Sequence, residues 1–562
     1  MHEPSRIDPP NGEAAKTLGA FYTDIQIADF LVWWAIRSAR DTVLDPSFGG
    51  GVFVRSACNR LLALGGRPAE QVFGVELDPR VHALISEKLG DEFGIGQRNL
   101  WQRDFFDIEP LPVYQVNAVV GNPPFIRYHR FTSETRNRAL SLAAEQGVRL
   151  TQLSSSWAPF VVHSISMVKP GGRLAMVVPM EIAHANYAIP VLRHLQDSFG
   201  KVTFLTFRKK LFPSLSEDTL LLLADRRAAR FSGFLHRDVE HAGILTGRST
   251  RSSYRIGGTR QLKAGSLVDG SERLIEYFLP KRTRDLYREL KQLNLVKPLG
   301  QLVDVGIGYV TGANHFFHLS PDEARRRQIP KRFLKPAVRR GRALSGVRFT
   351  ADDWQAATSS GQAGYLLSIP RNAGLPESVL SYLEYGRSEQ VPDAYKCRVR
   401  SPWYSVPHVY EPDAFLTYMS GTTPRLVTNN AGVVAPNSLH ILRAHAETTL
   451  STDSIAAMWQ TSLTRLSVEV EGHALGGGML KVEPTEAENC LLAGTDMADS
   501  SLRDFAGELD SLFRSGREQL AQDRADDLIL RQNLGLSQRD CGLLQSAAEI
   551  LMNRRCARSN ST

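Results

Sequence analysis

The stretch Val116-Asn117-Ala118-Val119-Val120-Gly121-Asn122-Pro123-Pro124-Phe125 decides how this chain is to be read. The run up to Gly121 is apolar and reads as a buried strand. Two consecutive prolines then stiffen the backbone just past the strand end and remove two amide donors. The Pro123 and Pro124 carbonyls remain as acceptors, Asn122 adds a side-chain carbonyl, and Phe125 adds a flat apolar face. A planar ring with an exocyclic amino group needs those parts: acceptors for its N–H bonds and a ring to stack on. An ordinary strand-to-loop turn could carry the same residues, so the surrounding sequence decides between the two.

Working outward, apolar strands are predicted at Thr42 to Asp45, Val72 to Glu76, Val116 to Val120, Arg173 to Val178, Lys201 to Leu205 and Thr219 to Leu223. Helical segments are predicted between them, at Ile25 to Ser38, Val52 to Leu64, Arg80 to Leu89, Pro159 to Val168 and Ala188 to Ser198. Near-continuous apolar strands alternating with helices imply an α/β fold, its parallel sheet covered on both faces. Lys169-Pro170-Gly171-Gly172 is expected to end the helix before the Arg173 strand. The first domain is placed at 1–245. The polar, basic run Thr246-Gly247-Arg248-Ser249-Thr250-Arg251-Ser252-Ser253 opens a linker over 246–270. Residues 271–495 have denser turn residues and shorter strands, and read as a second, mixed α+β domain. Residues 496–562 read as a helical tail, as in Leu502 to Gln519 and Leu543 to Arg554.

A chain of 562 residues suits more than one domain. At 42% hydrophobic and 22% charged residues it has a globular composition. Its longest apolar stretches, such as Leu220-Leu221-Leu222-Leu223-Ala224, are far too short to span a bilayer. The N-terminus lacks the layout of a secretory signal. The five cysteines are scattered and form no Cys-x-x-Cys pair, which argues against disulfides or zinc and for a reducing cytoplasm. The histidines show no ligand spacing, so no metal is expected. Lys and Arg number 67 against 59 Asp and Glu, a net +8 that points only weakly to a polyanionic partner.

Further motifs lie at successive strand ends, where open α/β sheets bind ligands. Asp45-Pro46-Ser47-Phe48-Gly49-Gly50-Gly51 follows the first strand and opens a helix. It has neither the Gly-Lys-Ser/Thr of a phosphate loop nor a clean Gly-x-Gly-x-x-Gly. The second strand ends in Glu76-Leu77-Asp78, where an acidic side chain can accept from both hydroxyls of a ribose. Capping the helix ahead of Pro79 is the plainer role, and it suits Asp78 better than Glu76. In Arg103-Asp104-Phe105-Phe106, Asp104 can accept from an adenine amino group while Phe105 packs on the purine, or Asp104 can simply cap a short helix.

Asn122-Pro123-Pro124-Phe125 resembles the (Asn/Asp/Ser)-Pro-Pro-(Tyr/Phe) motif of methyltransferases acting on amino groups conjugated to planar systems. Its place after Gly19-Ala20-Phe21-Tyr22-Thr23, the Asp45 turn, Glu76 and Asp104 extends the likeness. In this order the chain resembles the gamma-class DNA adenine-N6 methyltransferases of restriction–modification systems, best those with a Taq-type C-terminal specificity domain. The likeness is strong over about 16–245 and looser over about 296–485. It implies a Rossmann-like class I methyltransferase sheet and S-adenosyl-L-methionine as cofactor. The cofactor would be contacted by Thr23, Asp45, Pro46, Ser47, Glu76, Leu77, Asp104, Phe105, Pro124 and, in Trp157-Ala158-Pro159-Phe160, Phe160. Asn122, Pro123 and Phe125 would be catalytic, with carbonyls of Asn122 and Pro123 holding both amino hydrogens. A flipped-out adenine would stack on Phe125, with Phe212 on its other side. No nucleophilic side chain and no metal would be needed.

Segments Val305 to Asn314, Tyr395 to Pro407, Asn437 to His440 and Gly476 to Pro484 carry the likeness into the second half. Arg339 and Arg340 lie in a basic run with Lys335 and Arg342, and Lys396, Arg398 and Arg400 are expected to alternate along one strand face. Both suit phosphates or guanine edges, although a solvated strand face would look the same. The implied substrate is double-stranded DNA, and the implied partner a cognate restriction endonuclease. The chain begins almost directly at the cofactor region, so modification without cleavage is expected. Methylation of RNA adenine, cytosine N4 or a protein glutamine stays open, as does a DNA-binding protein with an inactive methylase-like domain. The large second domain argues against a glutamine substrate, and intact Asn122, Glu76 and Asp104 argue against inactivity.

Overall fold

The computed structural model describes residues 23–126, 133–212, 218–246, 256–475 and 478–557. Gly19 to Tyr22, Pro213, most of the polar run after Thr246, Gly476 and Gly477 therefore lie outside the described residues. Two compact units divide the chain, one essentially Met1–Phe278 and the other essentially Leu279–Arg555.

The first unit is an α/β layer structure. In chain order its main elements are α1 (Ile25–Ala35), β1 (Val43–Asp45), α2 (Val52–Leu64), β2 (Val72–Glu76), α3 (Pro79–Phe93), β3 (Leu100–Gln102) and β4 (Val116–Gly121). There follow α4 (Ser133–Glu145), α5 (Trp157–Ser166), β5 (Val168–Pro179), α6 (Ala188–Ser198), β6 (Phe199–Phe207), β7 (Thr219–Arg227), β8 (Phe234–Val239) and β9 (Arg260–Gln261). Local chemistry explains the helix starts. Asp24 caps α1 by accepting from the Gln26 amide at 2.7 Å, and Asp78 caps α3 by accepting from Arg80 and Val81 ahead of Pro79. Asp78 thus takes the capping role and leaves Glu76 to another.

The strands form one nine-stranded sheet ordered β3-β2-β1-β4-β5-β7-β6-β8-β9. β3 through β5 in that order are parallel. β7 runs antiparallel to both β5 and β6, which departs from the all-parallel expectation. Strand direction leaves no trace in a run such as Leu220 to Ala224, because a strand buried on both faces is apolar either way round. Lys169-Pro170-Gly171-Gly172 lies within β5 instead of closing a helix. The sheet takes up the extra residues as a register shift opposite Val116 and Ala118.

The stretch read as a linker is in part structured. Leu262 and Leu267 are buried in the first unit's core, β9 pairs with β8, and the Val268 carbonyl accepts from Arg193 at 2.7 Å. The boundary between units accordingly falls at Phe278 and Leu279.

The second unit is mixed α+β. A five-stranded sheet is ordered Val303–Ile307, His440–Ala444, Ala414–Leu416, Leu426–Asn429 and Arg348–Phe349. A three-stranded sheet of His318–Leu319, Ala363–Leu367 and Leu334–Val338 stands over a core that includes Phe316, Tyr382 and Cys397. The C-terminal helices belong to this unit and do not stand apart. Arg514, on helix Asp499–Arg514, pairs with both oxygens of Asp353 at 2.6 and 2.7 Å. Arg555, near the end of helix Gln538–Ala557, pairs with Glu469 at 2.9 Å with both side chains about 5% exposed or less. The Thr422 carbonyl, accepting at 2.8 Å, helps satisfy the same guanidinium.

Arg555→Ala leaves the Glu469 carboxylate buried and unpaired, so it is expected to destabilise the second unit by about 3–5 kcal/mol. Urea denaturation followed by tryptophan fluorescence checks this; an unchanged midpoint would show that the pair is dispensable.

Candidate active site at the carboxyl ends of strands β1 and β4

The sheet order makes chain connections diverge between β1 and β4, and ligands of open α/β sheets bind at such a point, beyond the carboxyl ends of the strands. Asp45 ends β1 and Asn122 follows β4, so the topology brings the cofactor motif and the amino-group motif side by side. Contact is tight: a side chain on Gly121 would begin 3.1 Å from Asp45 Oδ1 and 3.3 Å from Pro46 Cδ. Ser47 Oγ donates to the Asn122 carbonyl at 3.3 Å, tying the two strand ends together.

Asn122 is held in one orientation. Its Nδ2 donates to Thr23 Oγ1 at 3.2 Å, and its Oδ1 is buried with no hydrogen-bond partner among the described residues. Ser156, just before α5, clamps the loop beyond. Its hydroxyl donates to the Pro124 carbonyl at 2.5 Å and accepts from the Ile126 amide at 2.8 Å, and its own amide donates to the Ile126 carbonyl at 3.0 Å. Among the described residues nothing donates to the Pro123 carbonyl. Two acceptors, Asn122 Oδ1 and Pro123 O, are therefore left for a ligand. Ser156 is absent from the sequence-based candidates, because a lone Ser ahead of an apolar helix looks like any cap.

Asp45 is 1% exposed. Its Oδ1 accepts from the Ser47 amide at 3.1 Å, and its Oδ2 has no partner among the described residues. Burial pushes its carboxyl up to about 8, with the Ser47 bond opposing and nearby Glu76 adding to the rise. Glu76 accepts from the Gly49 amide at 2.9 Å through Oε2 and from the Asp78 amide at 2.8 Å through Oε1. Each oxygen keeps a further lone pair, enough for two hydroxyl donors. Leu77 beside it is 55% exposed. Asp104 accepts from the Phe106 amide at 3.0 Å, and burial raises its carboxyl pKa. Phe105 and Phe160 meet with ring centroids 4.8 Å apart, in a cluster with Phe106 and His163. The side chains present fit S-adenosylmethionine in kind: an unpartnered Asp45 carboxyl oxygen for an ammonium, the Glu76 acceptors for a ribose, and the Phe105–Phe160 pair for a purine.

Among the other sequence candidates, Phe125 and Phe212 are 7% and 6% exposed, buried to much the same degree as Phe105 and Phe160. In the second unit Arg340 is exposed, but Arg339 Nε and Nη2 are buried without hydrogen-bond partners among the described residues. Lys396 and Arg398 do not alternate on a strand. They belong to a helical turn, Tyr395–Arg398. Arg400 turns inward and donates to the Thr311 carbonyl at 2.8 Å and to the Val310 carbonyl. Among the described residues no helix is long and apolar enough to cross a membrane, and no group of three or more His, Cys, Asp or Glu side chains could hold a metal ion.

Comparison with known proteins agrees with this geometry. Residues 11–230 match the N-6 DNA Methylase family, and residues 271–530 match the C-terminal domain of Type II methyltransferase M.Eco57I. Type II methyltransferase M.AccI of Acinetobacter calcoaceticus is 19% identical, covering 92% of this chain and 93% of its own. M.XamI of Xanthomonas campestris pv. amaranthicola is 23% identical and covers 87% of each chain. Among solved structures, the Type IIL restriction-modification enzyme MmeI in complex with DNA has a similar fold, with a TM-score of 0.57 over 97% of this chain and 80% of that one at 12% identity. Fold and comparisons together define a DNA methyltransferase of the restriction–modification kind. Residues 11–230 are thus similar to the N-6 DNA methylases, and residues 271–530 to the C-terminal domain of a Type II methyltransferase.

The raised Asp45 pKa has a consequence for stability. Between the ordinary carboxylate value of 3.8 and about 8 the unfolded chain is ionised while the folded protein holds the proton, so stability falls as pH rises through that window. Asp45→Asn is expected to abolish cofactor binding and to flatten this dependence in the ligand-free protein. Thermal melts of both forms from pH 5 to 9 check it; parallel curves would show that Asp45 does not hold the proton.

Proposed function

We propose that the protein transfers a methyl group from S-adenosyl-L-methionine to the N6 amino group of an adenine swung out of double-stranded DNA, as the modification enzyme accompanying a restriction endonuclease. The observation that carries this reading is the buried Asn122 Oδ1 beside the buried Asp45 Oδ2 at the strand divergence, both without a hydrogen-bond partner among the described residues. The cofactor, when bound, supplies an activated methyl on a sulfonium, so no side chain need act as nucleophile.

Asp45, Ser47, Glu76, Leu77, Asp104, Phe105 and Phe160 would hold it. Asn122 and Pro123 would accept both amino hydrogens of the base, favouring a pyramidal nitrogen whose lone pair faces the methyl. One amino proton leaves for solvent after transfer. Thr23 acts as a positioning residue, because its hydroxyl takes the Asn122 amide nitrogen and so presents the oxygen to the base. Extrusion of the base costs a few kcal/mol in unstacking. Stacking on Phe125 and Phe212 would offset about 1–3 kcal/mol per ring, once entry of the base uncovers them.

The reading is tested by expressing the protein in a bacterial host free of DNA methylation and mapping modified bases by long-read sequencing. N6-methyladenine in one recurrent sequence is expected; methylated cytosine, or no modified base, would overturn it. Asn122→Ala is expected to abolish transfer while DNA and cofactor still bind. Thr23→Val should lower kcat about 10²-fold, the scale of misplacing a reacting group, with Thr23→Ser restoring most of it. Equal kcat for the two Thr23 variants would remove the positioning role.

A further inference from the structure

We propose that the helical turn Tyr395–Arg398, together with Val399, is the element of the second unit that reads base pairs in duplex DNA; the assignment rests on the DNA-methyltransferase reading above. The turn has two faces. Tyr395, Arg398 and Val399 stand at i, i+3 and i+4, which places them on one side. Tyr395 is 65% and Val399 63% exposed, and Arg398 is exposed as well. Cys397 and Arg400 point the other way. Cys397 is fully buried, with Sγ 3.5 Å from the Thr311 carbonyl, and Arg400 donates to that same carbonyl.

The mount leaves no slack. Gly312 has φ +86°, and a Cβ there would lie 2.8 Å from Lys396 Cβ and 3.4 Å from Cys397 Sγ. Only glycine combines that backbone conformation with so close an approach. The outward face is therefore held in place before any partner arrives, which removes much of the entropy cost of ordering it on binding.

The chemistry of the face selects its occupant. Neither Lys396 nor Arg398 forms an ion pair among the described residues, and the Lys396 ammonium rests 5.5 Å over the Tyr395 ring. Two cations without an ion-pair partner among the described residues, beside an aromatic and a branched aliphatic side chain, suit a polyanion with apolar base edges. One helical turn, about 10–12 Å across, matches a major groove about 12 Å wide. Arg398 has the fork that grips a guanine edge, Tyr395 and Val399 supply apolar contact for a thymine methyl, and Lys396 at the flank suits a phosphate.

The test uses the full chain and duplex oligonucleotides carrying the sequence methylated by the wild-type protein, competed against every single base-pair change of it. Arg398→Ala and Tyr395→Ala are each expected to cut discrimination at one or two positions by about tenfold or more, with S-adenosylmethionine binding and the thermal melt retained. Lys396→Ala should keep discrimination and reduce the slope of log affinity against log salt by about 0.9. Arg398→Lys keeps the charge without the fork and should behave like Arg398→Ala. Full discrimination in Arg398→Lys would make Arg398 a phosphate contact, and unchanged discrimination in both Arg398→Ala and Tyr395→Ala would show that the turn reads no bases; either result overturns the assignment alone. A wild-type protein that methylates no DNA would overturn the parent reading and this one with it.

Discussion

Two buried oxygens without partners among the described residues, Asp45 Oδ2 and Asn122 Oδ1, govern the candidate site of the first unit. A folded protein seldom tolerates such atoms, because each costs about 1–3 kcal/mol when left unsatisfied. Here they stand at neighbouring strand ends where the sheet's connections diverge, and the local structure is arranged to keep them there. Gly121 lets Asp45 and Pro46 close in on β4. Ser47 joins the two ends, Thr23 occupies the Asn122 amide nitrogen, and Ser156 fastens the loop beyond. Among the described residues no donor reaches either oxygen, which leaves both open to a ligand. Burial holds the Asp45 carboxyl pKa up at about 8, and a cationic group placed beside it would lower it again.

The second unit follows a different logic. It has several small sheets instead of one large one, and it gains rigidity from ion pairs and buried anchors. Arg514 and Arg555 fasten the C-terminal helices to the body of the unit, and Cys397 with Arg400 fastens the exposed turn at Tyr395. A surface that must distinguish sequences gains from being held before contact, since motion at the interface blurs the difference between a right and a wrong partner. Under the proposed function, chemistry and selection would be built by separate means: the first by strand-end geometry in a single sheet, the second by small elements pinned on a rigid frame.

Much of the first unit was legible because its signals are local. The apolar runs of β1, β2 and β4, the Asp78-Pro79 cap and the paired prolines at Pro123 and Pro124 each follow from neighbouring residues. The motif order along the chain, combined with the rule that ligands gather at carboxyl strand ends, placed Asp45 and Asn122 at a common site. Other features are not local. Ser156 has the same appearance as any serine ahead of a helix, and only its position opposite Pro124 gives it a role.

The sequence by itself determined which residues carry acceptors, which segments are apolar strands, and which likeness they bear to DNA methyltransferases, since side-chain chemistry and periodicity reside in the chain. Tertiary structure alone decided that β7 runs against its neighbours, that Phe125 and Phe212 are buried, that Arg339 Nε and Nη2 are buried, and that Lys396 and Arg398 ride on a helical turn instead of a strand. The reason is the same in each case. Strand direction, burial and the fold of a four-residue turn depend on what packs against a segment, and those partners are distant in sequence: β5 for β7, and the Val310–Thr311 carbonyls for the turn that Arg400 holds in place.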